Sequence, residues 1–375
     1  MAKSPALLII AASERDANLY YATRFIAPDS FVFAQIRGRK FALMSDLEVD
    51  RARAQADVDE VVSISRLAQA YVQRKRKRPS FIELIEDFLK REKVKRLLVP
   101  SDFPLAYADA FRKKGFNLET KPDPFFEERT VKSREEIRAI EISLKHTEAA
   151  CQAACEVIAR SRIQGKKLIY RGKVLTSEEI KKVVNVTLME RGCVAQHTII
   201  ACGREAVDPH NEGSGPLRPN ESIVMDIFPQ AVGSRYYADL SRTVVRGKAS
   251  PKLKRMYAAV QEGQEIAFRM IRAGADASRI HEAIQKRFQE LGFPTGEIKG
   301  RMQGFFHGTG HGVGIEIHEP PRISTARDIL KAGQVFTVEP GLYYEDSGGV
   351  RLEDMVMVTR TGCRNLTRLP KILEL

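Results

Sequence analysis

Three acidic residues lie inside apolar stretches of the sequence, where a strand would bury its side chains. Asp226 interrupts the run IVMDIF, Glu339 ends the run VFTVE, and Glu353 lies within GVRLEDMV. Burying a carboxylate is costly unless it is paired, hydrogen-bonded or bound to a metal ion. Because several histidines lie in the same part of the chain, the three carboxylates indicate a metal or acid–base site rather than three surface positions.

Strand geometry predicts which of these side chains can meet. Asp226 and a fourth acid, Asp239, flank a predicted hairpin that turns through Gly233–Arg235, and this hairpin would bring both carboxylates together. Side chains alternate between the two faces of a strand, so Arg351 and Glu353 share one face. We therefore expect Asp239 to join the other carboxylates and Arg351 to reach the same site.

A glycine-rich segment adds histidines to this set. In HGTGHGVG, residues 307–314, four glycines follow the first histidine. Glycine lets the backbone approach a ligand or a facing strand closely. The next residues, Gly314–His318, are predicted to form a strand, which would place Glu316 and His318 on one face.

In their order and residue types, five segments resemble metallopeptidase family M24, whose fold is known as the pita-bread fold. The resemblance is to the branch of aminopeptidase P and prolidase. In chain order, the matching segments are Val224–Asp226, Ala238–Thr243, His307–Glu319, Thr337–Tyr343 and Gly349–Asp354. The resemblance implies an α+β pita-bread catalytic domain, with an antiparallel sheet and flanking helices, at residues 131–375. It also implies a smaller α/β domain of the creatinase/prolidase type at residues 1–130.

The resemblance implies metal-binding roles for five residues. Asp226 would chelate one ion, and Asp239 would bridge two. His311 would bind the second ion, Glu339 would also ligate it, and Glu353 would bridge. Four carboxylates and one imidazole suit Mn²⁺ best, with Co²⁺, Zn²⁺ or Fe²⁺ as alternatives. Two such ions can share a water and present it as hydroxide to the scissile carbonyl, while Glu339 passes a proton to the leaving nitrogen.

Four further residues match positions that face the substrate in the family, and a fifth, Arg351, can reach the site because it shares a strand face with Glu353. His210 and His318 resemble the two histidines that do not bind metal, and they would hydrogen-bond the substrate amide and stabilise the oxyanion. His307 lies where the family shapes its proline pocket. Tyr343 would assist from the wall, and Arg351 would contact the substrate beyond the proline.

The activity that the resemblance implies is hydrolysis of the peptide bond between an N-terminal residue and proline. Some dipeptidases of the family carry an arginine just before a Thr-Ala-Arg stretch, where it grips the carboxylate of the dipeptide. Here Ser324 precedes Thr325–Arg327, which favours an Xaa-Pro aminopeptidase, although Arg322 lies close by. An Xaa-Pro dipeptidase (prolidase) is the alternative. A methionine aminopeptidase, a lyase and a non-catalytic binding protein are weaker alternatives.

The remaining sequence predicts the elements that must hold these residues. Lys121–Pro124 contains two prolines and marks a boundary, and Ser133 with Glu136 forms a capping-box pattern that opens a long helix ending near Arg160. Other helices are predicted at Phe81–Arg91, Ser177–Glu190, Pro251–Ile271 and Ala277–Leu291. Strands are predicted at Ala6–Ala12, Phe31–Ile36, Phe41–Met44, Val61–Ile64, Arg96–Val99, Phe116–Thr120, His197–Cys202, Ser222–Phe228, Tyr236–Val245, Gly314–His318, Val335–Glu339 and Val350–Thr359.

Composition limits the other classes of function. The net charge is +13, but the basic run Arg74–Arg78 is typical of a solvated helix end, and no nucleic-acid-binding module accompanies it. No apolar run approaches the roughly 20 residues of a membrane span, and Ala6–Ala12 predicts a buried strand rather than a signal peptide. Five cysteines without a C-x-x-C pair are typical of a reducing compartment. We expect a cytoplasmic homodimer acting on peptides with proline in the second position.

Overall fold

The computed structural model describes residues 4–375, and its backbone contacts divide the chain into two compact units. The first unit runs to Arg129, and the second runs from Thr130 to Leu375. Assigning them to a creatinase/prolidase-type domain and a catalytic domain stays a prediction. No helix of the described chain is both long enough and apolar enough to cross a membrane.

A six-stranded mixed sheet forms the centre of the first unit. Its strands are β1 (Ala6–Ala11), β2 (Phe31–Ile36), β3 (Arg39–Met44), β4 (Glu60–Ser63), β5 (Arg96–Pro100) and β6 (Asn117–Lys121), in the spatial order β4-β3-β2-β1-β5-β6. The pairs β1–β2 and β2–β3 are antiparallel, and the others are parallel. The helices are α1 (Ala17–Thr23), α2 (Asp46–Gln55), α3 (Ile64–Lys75), α4 (Phe81–Arg91) and α5 (Leu105–Lys113). The predicted α/β character of this unit is confirmed.

The basic run Arg74–Arg78 lies at the end of α3, as predicted for a solvated helix end. Arg74 Nη2 lies 2.6 Å from Asp87 Oδ2, and Lys77 Nζ lies 2.9 Å from Glu83 Oε1. Both acidic partners belong to α4. Part of the basic charge is therefore neutralised within the unit, although exposed pairs of this kind contribute only about 0–1 kcal/mol each.

Four long helices belong to the second unit: α6 (Arg134–Arg160), α7 (Ser177–Met189), α8 (Pro251–Met270) and α9 (Ala277–Glu290). Each begins at a side-chain cap. Ser133 forms the predicted capping box with Glu136, and Asp276 caps α9 as expected. Because a cap satisfies N–H groups that lack a partner within the helix, these residues fix where each helix starts.

The strands of the second unit form several small sheets. They are β7 (Arg162–Gln164), β8 (Lys167–Tyr170), β9 (Lys173–Val174), β10 (Cys193–Val194), β11 (Ile199–Cys202), β12 (Ile223–Ile227), β13 (Gln230–Ala231), β14 (Leu240–Val244), β15 (Gly296–Ile298), β16 (Arg301–Gln303), β17 (Gly310–Gly312), β18 (Glu319–Ile323), β19 (Val335–Val338), β20 (Gly341–Tyr344), β21 (Gly348–Arg351), β22 (Asp354–Val358) and β23 (Cys363–Asn365). Two sheets matter most here, β11-β12-β14 and β18-β17-β19-β22-β23, and all pairs within them are antiparallel. The predicted α+β class is confirmed.

Three predicted strands are wrong in detail, and one of them, Tyr236–Val245, begins only at Leu240, as β14. Gly314–His318 is not a strand, because the chain bends back there so that β18 can pair antiparallel with β17. The predicted strand Val350–Thr359 is split into β21 and β22, with Leu352 and Glu353 between them. Both breaks lie beside the carboxylate cluster.

One hydrophobic core packs against the five-stranded sheet and the β20–β21 pair. It combines α8 and α9 with residues of β19 to β22, and its largest fully buried members include Phe288, Phe305 and Phe336. A polar contact also joins helix to sheet, because Gln264 Nε2 on α8 donates to the Val338 carbonyl at 2.8 Å. The strand end that precedes Glu339 is therefore held from two sides.

We predict that Gly310→Ala destabilises the second unit. A Cβ atom at Gly310 would lie 1.8 Å from the Thr337 carbonyl oxygen of the neighbouring strand, so the backbone would have to move. Overpacking of this kind typically costs about 1–3 kcal/mol. Urea denaturation should show the loss. Gly233→Ala is the control, because its Cβ would meet nothing within 4 Å; equal stability of the two variants would contradict this account.

Candidate metal centre and active site

Asp226 and Asp239 lie side by side because their strands form a hairpin. β12 pairs antiparallel with β14, with Asp226 opposite Ser241 and Ile227 opposite Leu240. Asp239 immediately precedes β14, and only 4% of its surface is exposed. The predicted hairpin is confirmed, and the segment between its arms includes the short strand β13, which pairs with β10.

The other three candidate ligands lie in or at the ends of strands. His311 is the middle residue of β17, Glu339 follows β19, and Glu353 lies in the break between β21 and β22. Backbone hydrogen bonds fix the two glutamates. The Glu339 N–H donates to the Thr309 carbonyl at 2.8 Å, and the Glu353 N–H donates to the Ser241 carbonyl at 3.0 Å.

The ring of His311 is oriented by its own backbone. Its Nδ1 lies 3.1 Å from the Gly312 carbonyl, which can only accept a hydrogen bond, so Nδ1 carries the ring proton in this arrangement. The lone pair of Nε2 then faces the carboxylates. Nε2 lies 3.6 Å from Asp239 Oδ2 and 3.3 Å from Glu339 Oε1.

These side chains fit a divalent cation. One ligand atom from each of Asp239, His311 and Glu353 lies within 4.8 Å of the other two. One oxygen each of Asp226, Asp239 and Glu353 is buried without a hydrogen-bond partner in the described chain. Buried polar atoms are nearly always satisfied, so unsatisfied oxygens on carboxylates that cluster with a histidine point to cation binding. The distances and the donor set thus agree with a candidate metal centre.

Crowding and burial shift the pKa values of Asp239, Glu353, Glu339 and His311. Burial, reinforced by the neighbouring carboxylates, raises the pKa of Asp239 and of Glu353 well above their usual values. Burial raises the pKa of Glu339 to about 7 and lowers that of His311 to about 3. A divalent cation would favour the ionised carboxylates and the neutral imidazole, which are the forms that bind metal.

Arg351 links the carboxylates to an aromatic wall. Its Nη2 donates to Asp226 Oδ2 at 2.7 Å, and its Nε donates to Ser241 Oγ at 2.9 Å. Ser241 Oγ in turn donates to Glu353 Oε2 at 2.9 Å. Nη1 donates to the hydroxyl oxygen of Tyr343 at 3.0 Å. One buried guanidinium thus contacts three groups around the centre.

Nine of the ten predicted site residues line one cleft of about 1010 Å³. Tyr343 is the exception, because it is fully buried and contacts the cleft residue His307, whose Nε2 lies 3.0 Å from its hydroxyl oxygen. The rings of His311 and His318 stack edge to face with centroids 4.3 Å apart. His210 is exposed at the cleft. Their catalytic and substrate-binding roles stay predictions.

The sequence did not single out the residues behind the centre. Arg242 and Asp354 form a buried ion pair, with Nη2 2.9 Å from Oδ1. Arg242 also donates to the carbonyls of Glu353 at 2.7 Å and Leu369 at 2.6 Å. Alternation could have indicated these two residues. Arg242 follows Ser241 and Asp354 follows Glu353, so the side chains of Arg242 and Asp354 face away from the candidate metal centre.

Comparisons with known proteins agree with this geometry. The model of metallopeptidase family M24 matches residues 139–360. This chain belongs to metallopeptidase family M24. It is 31% identical over 299 residues to the Xaa-Pro dipeptidase of Pyrococcus horikoshii, covering 78% of this chain and 79% of the relative. The predicted family and the pita-bread fold are confirmed.

Solved structures of family members extend the likeness to nearly the whole chain. The prolidase from Pyrococcus furiosus is 26% identical with a TM-score of 0.78, and the match covers 98% of this chain and 97% of that one. The X-Pro aminopeptidase from Thermotoga maritima is 25% identical with a TM-score of 0.80, and the match covers 99% and 97%. As a member of family M24, the chain is a hydrolase of the metallopeptidase type.

We predict that Glu353→Gln stabilises the metal-free protein but removes its response to metal. Folding raises the pKa of Glu339 from its ordinary value of 4.5 to about 7. The contribution of this carboxyl group to the stability of the fold is therefore complete below pH 4.5 and is lost as the pH rises through 7. Burial and the neighbouring carboxylates also raise the pKa of Glu353 well above its usual value, so the metal-free fold loses free energy at high pH by holding this group, and Glu353→Gln removes that loss. After chelation, Glu353→Gln should melt above wild type at pH 8 in calorimetry.

Added Mn²⁺ should raise the melting temperature of wild type far more than that of Glu353→Gln. The exposed Glu297→Gln makes the same change in net charge and should behave like wild type. A metal-free Glu353→Gln that is less stable than wild type at pH 8 would contradict a repulsive carboxylate cluster.

Proposed function

We propose that this protein hydrolyses dipeptides whose second residue is proline and that it uses two divalent metal ions to do so. The observation that supports a dipeptide substrate most directly is the position of Arg322. It lies opposite His311 in the pairing of β17 with β18, and it lines the cleft. The names of the two Pyrococcus relatives, an Xaa-Pro dipeptidase and a prolidase, favour the same function. They favour the alternative of the sequence analysis over the aminopeptidase.

Arg322 has the positive charge and the position in the cleft that are needed to bind the carboxylate of a dipeptide. In such a substrate the carboxylate is only one residue away from the scissile bond, so a cation beside the metal ligands can bind it. The positive charge of Arg322 acts on the residues around the centre. Burial is the largest cause that lowers the pKa of His318, and the charge of Arg322 is the next largest. Arg322 is itself exposed at the cleft, so its guanidinium is accessible to a small ligand.

The side chains around the centre suit hydrolysis before proline. Bound divalent cations would supply Lewis acidity and lower the pKa of a water. Glu339 can accept a proton and deliver it to the proline nitrogen. His318 and His210 can donate hydrogen bonds to the carbonyl oxygen as it gains negative charge. Burial lowers the pKa of His307 to about 3, so this ring, hydrogen-bonded to Tyr343, is neutral and can pack against proline.

An Xaa-Pro aminopeptidase is the second candidate. The similarity to the X-Pro aminopeptidase from Thermotoga maritima favours it, as does Ser324, which lines the cleft where some dipeptidases have arginine. We further propose Mn²⁺ as the metal, with Co²⁺, Zn²⁺ or Fe²⁺ as alternatives, and a cytoplasmic homodimer. Metal analysis of purified protein and light scattering test the metal and the assembly.

We predict that kcat/KM for Ala-Pro exceeds that for Ala-Pro-Ala by tenfold or more, which corresponds to about 1.4 kcal/mol. Arg322→Ala should abolish this preference by raising KM for Ala-Pro. Arg327→Ala is the matched control, because Arg327 is 79% exposed, pairs with Asp276 and does not line the cleft. Equal or faster hydrolysis of Ala-Pro-Ala by wild type would identify an aminopeptidase.

We also predict that His318→Ala lowers kcat roughly 10²–10³-fold, the range for losing one oxyanion donor. Because His318 contacts the His311 ring by its edge but is not a proposed ligand, bound metal should stay at the wild-type level in equilibrium dialysis. Loss of metal from this variant would instead make His318 part of the metal site.

A further inference from the structure

We infer that one wall of the cleft receives the side chain of the substrate's first residue and favours lysine or arginine there over an anionic residue. This wall consists of His197, Ile199, Glu212 and Phe228, and we call it the first-residue wall. The inference rests on the proposed function, because it takes the bond before proline to be the scissile bond.

The first-residue wall belongs to the sheet that carries Asp226. Ile199 on β11 lies directly opposite Asp226 on β12. Phe228 directly follows β12 and lies two residues after Asp226, so alternation places it on the same face, and His197 lies just before β11. All four side chains line the same cleft. The wall therefore begins at the metal centre and extends outward from it.

The opposite side of the cleft is assigned to the other end of the substrate. Arg322 and Ser324 lie on or just after β18, in the five-stranded sheet rather than the three-stranded sheet of Asp226. If the proline carboxylate binds Arg322 and the scissile carbonyl lies at the centre, the remaining part of the substrate points away from β18. We assign this part to the first-residue wall, because Ile199 of the wall belongs to the other sheet that lines the cleft.

The wall is apolar at its base and acidic at its rim. Ile199 is buried and Phe228 is half-buried, so the base can cover the methylene groups of a long side chain. At the rim, the side chain of Glu212 is 48% exposed, and its Oε1 lies 2.8 Å from His197 Nδ1. A lysine or arginine matches both parts, because its stem is apolar and its end is a cationic donor.

The acidic rim is held in place by the backbone. The Ile200 N–H donates to the Glu212 carbonyl at 2.9 Å, which ties the residue to β11. His197 adopts a φ of 59°, a left-handed conformation that non-glycine residues rarely take and that often marks functional sites. The rim is therefore a fixed feature of the cleft rather than the tip of a free loop.

In the described chain, Glu212 Oε1 contacts His197, whereas Oε2 accepts no hydrogen bond and has Lys181 only at ion-pair distance. Lys181 Nζ lies 3.9 Å from Glu212 Oε2, beyond hydrogen-bond distance, and it donates instead to the Gly213 carbonyl at 2.9 Å. Lys181 does not line the cleft. Asp208, a cleft carboxylate outside the proposed metal ligands, is already paired with Arg301.

The test compares Lys-Pro, Met-Pro and Glu-Pro, whose first residues are long and differ in charge, each expressed relative to Ala-Pro on the same Mn²⁺-loaded enzyme. Wild type should prefer Lys-Pro to Met-Pro and Met-Pro to Glu-Pro in kcat/KM. Glu212→Gln should reduce the Lys-Pro to Glu-Pro ratio about three- to tenfold, and Glu212→Lys should invert it. Glu190→Gln is the control, since Glu190 is 70% exposed and lies outside the cleft.

Two failures are distinguishable. If wild type hydrolyses none of the Xaa-Pro dipeptides, the proposed function is wrong. If it hydrolyses them but the Lys-Pro to Glu-Pro ratio is the same in wild type, Glu212→Gln and Glu212→Lys, the function stands and the first-residue wall does not select by charge. If Glu190→Gln changes the Lys-Pro to Glu-Pro ratio as much as Glu212→Gln does, the change reflects net charge alone. That result would also overturn the inference.

Discussion

Carboxylates held a few ångströms apart in a dry site repel one another, and a protein must bind cations or protons to keep them there. In this chain, Asp226, Asp239, Glu339 and Glu353 share such a site. Rigid elements resist the repulsion: a hairpin for the aspartates, strand ends for the glutamates, and backbone hydrogen bonds that fix both glutamates. The chain itself supplies one cation to this site, the guanidinium of Arg351. It pairs with Asp226 and is linked to Glu353 through the hydroxyl group of Ser241.

The two sheets that hold these carboxylates also form two different sides of the cleft. The centre lies where the sheet of Asp226 and the sheet of His311 meet, and each sheet contributes a side of different chemistry. The His311 side offers a cation and neutral rings, whereas the Asp226 side offers an apolar base and an acidic rim. We propose that the carboxylate of the substrate binds on the His311 side and that its variable side chain lies on the Asp226 side.

The sequence was most informative where one local rule decided the outcome. The helix Phe81–Arg91 has its predicted bounds, and Ser133 with Glu136 opens α6 as expected, because amphipathic spacing and caps are local signals. The ordered motifs identified the family, and Arg351 and Glu353 line one cleft as expected, although the predicted strand is broken between them. The hairpin of the two aspartates was also predictable, because its turn lies between them in the chain.

Long-range pairing limited the other predictions. Gly314–His318 reads locally as a strand, but β18 must fold back onto β17, and that constraint comes from residues the local pattern does not include. Tyr343 was expected at the cleft wall, yet it lies behind His307. Alternation alone could not say that Arg242 and Asp354 would meet each other on the far side of the sheet.

That far side has a practical consequence for anyone who handles the protein. Arg242 contacts the carbonyls of Glu353, Leu369 and Pro370, so the last residues pack directly against the support of the metal centre. Leu375 completes this contact, because its N–H donates to the Val245 carbonyl and its carbonyl accepts from Arg246. A substitution or a proteolytic cut within residues 369–375 would therefore remove contacts that hold Arg242, and with it the backbone of Glu353. Damage to this segment would reach the candidate metal centre without touching any of its ligands.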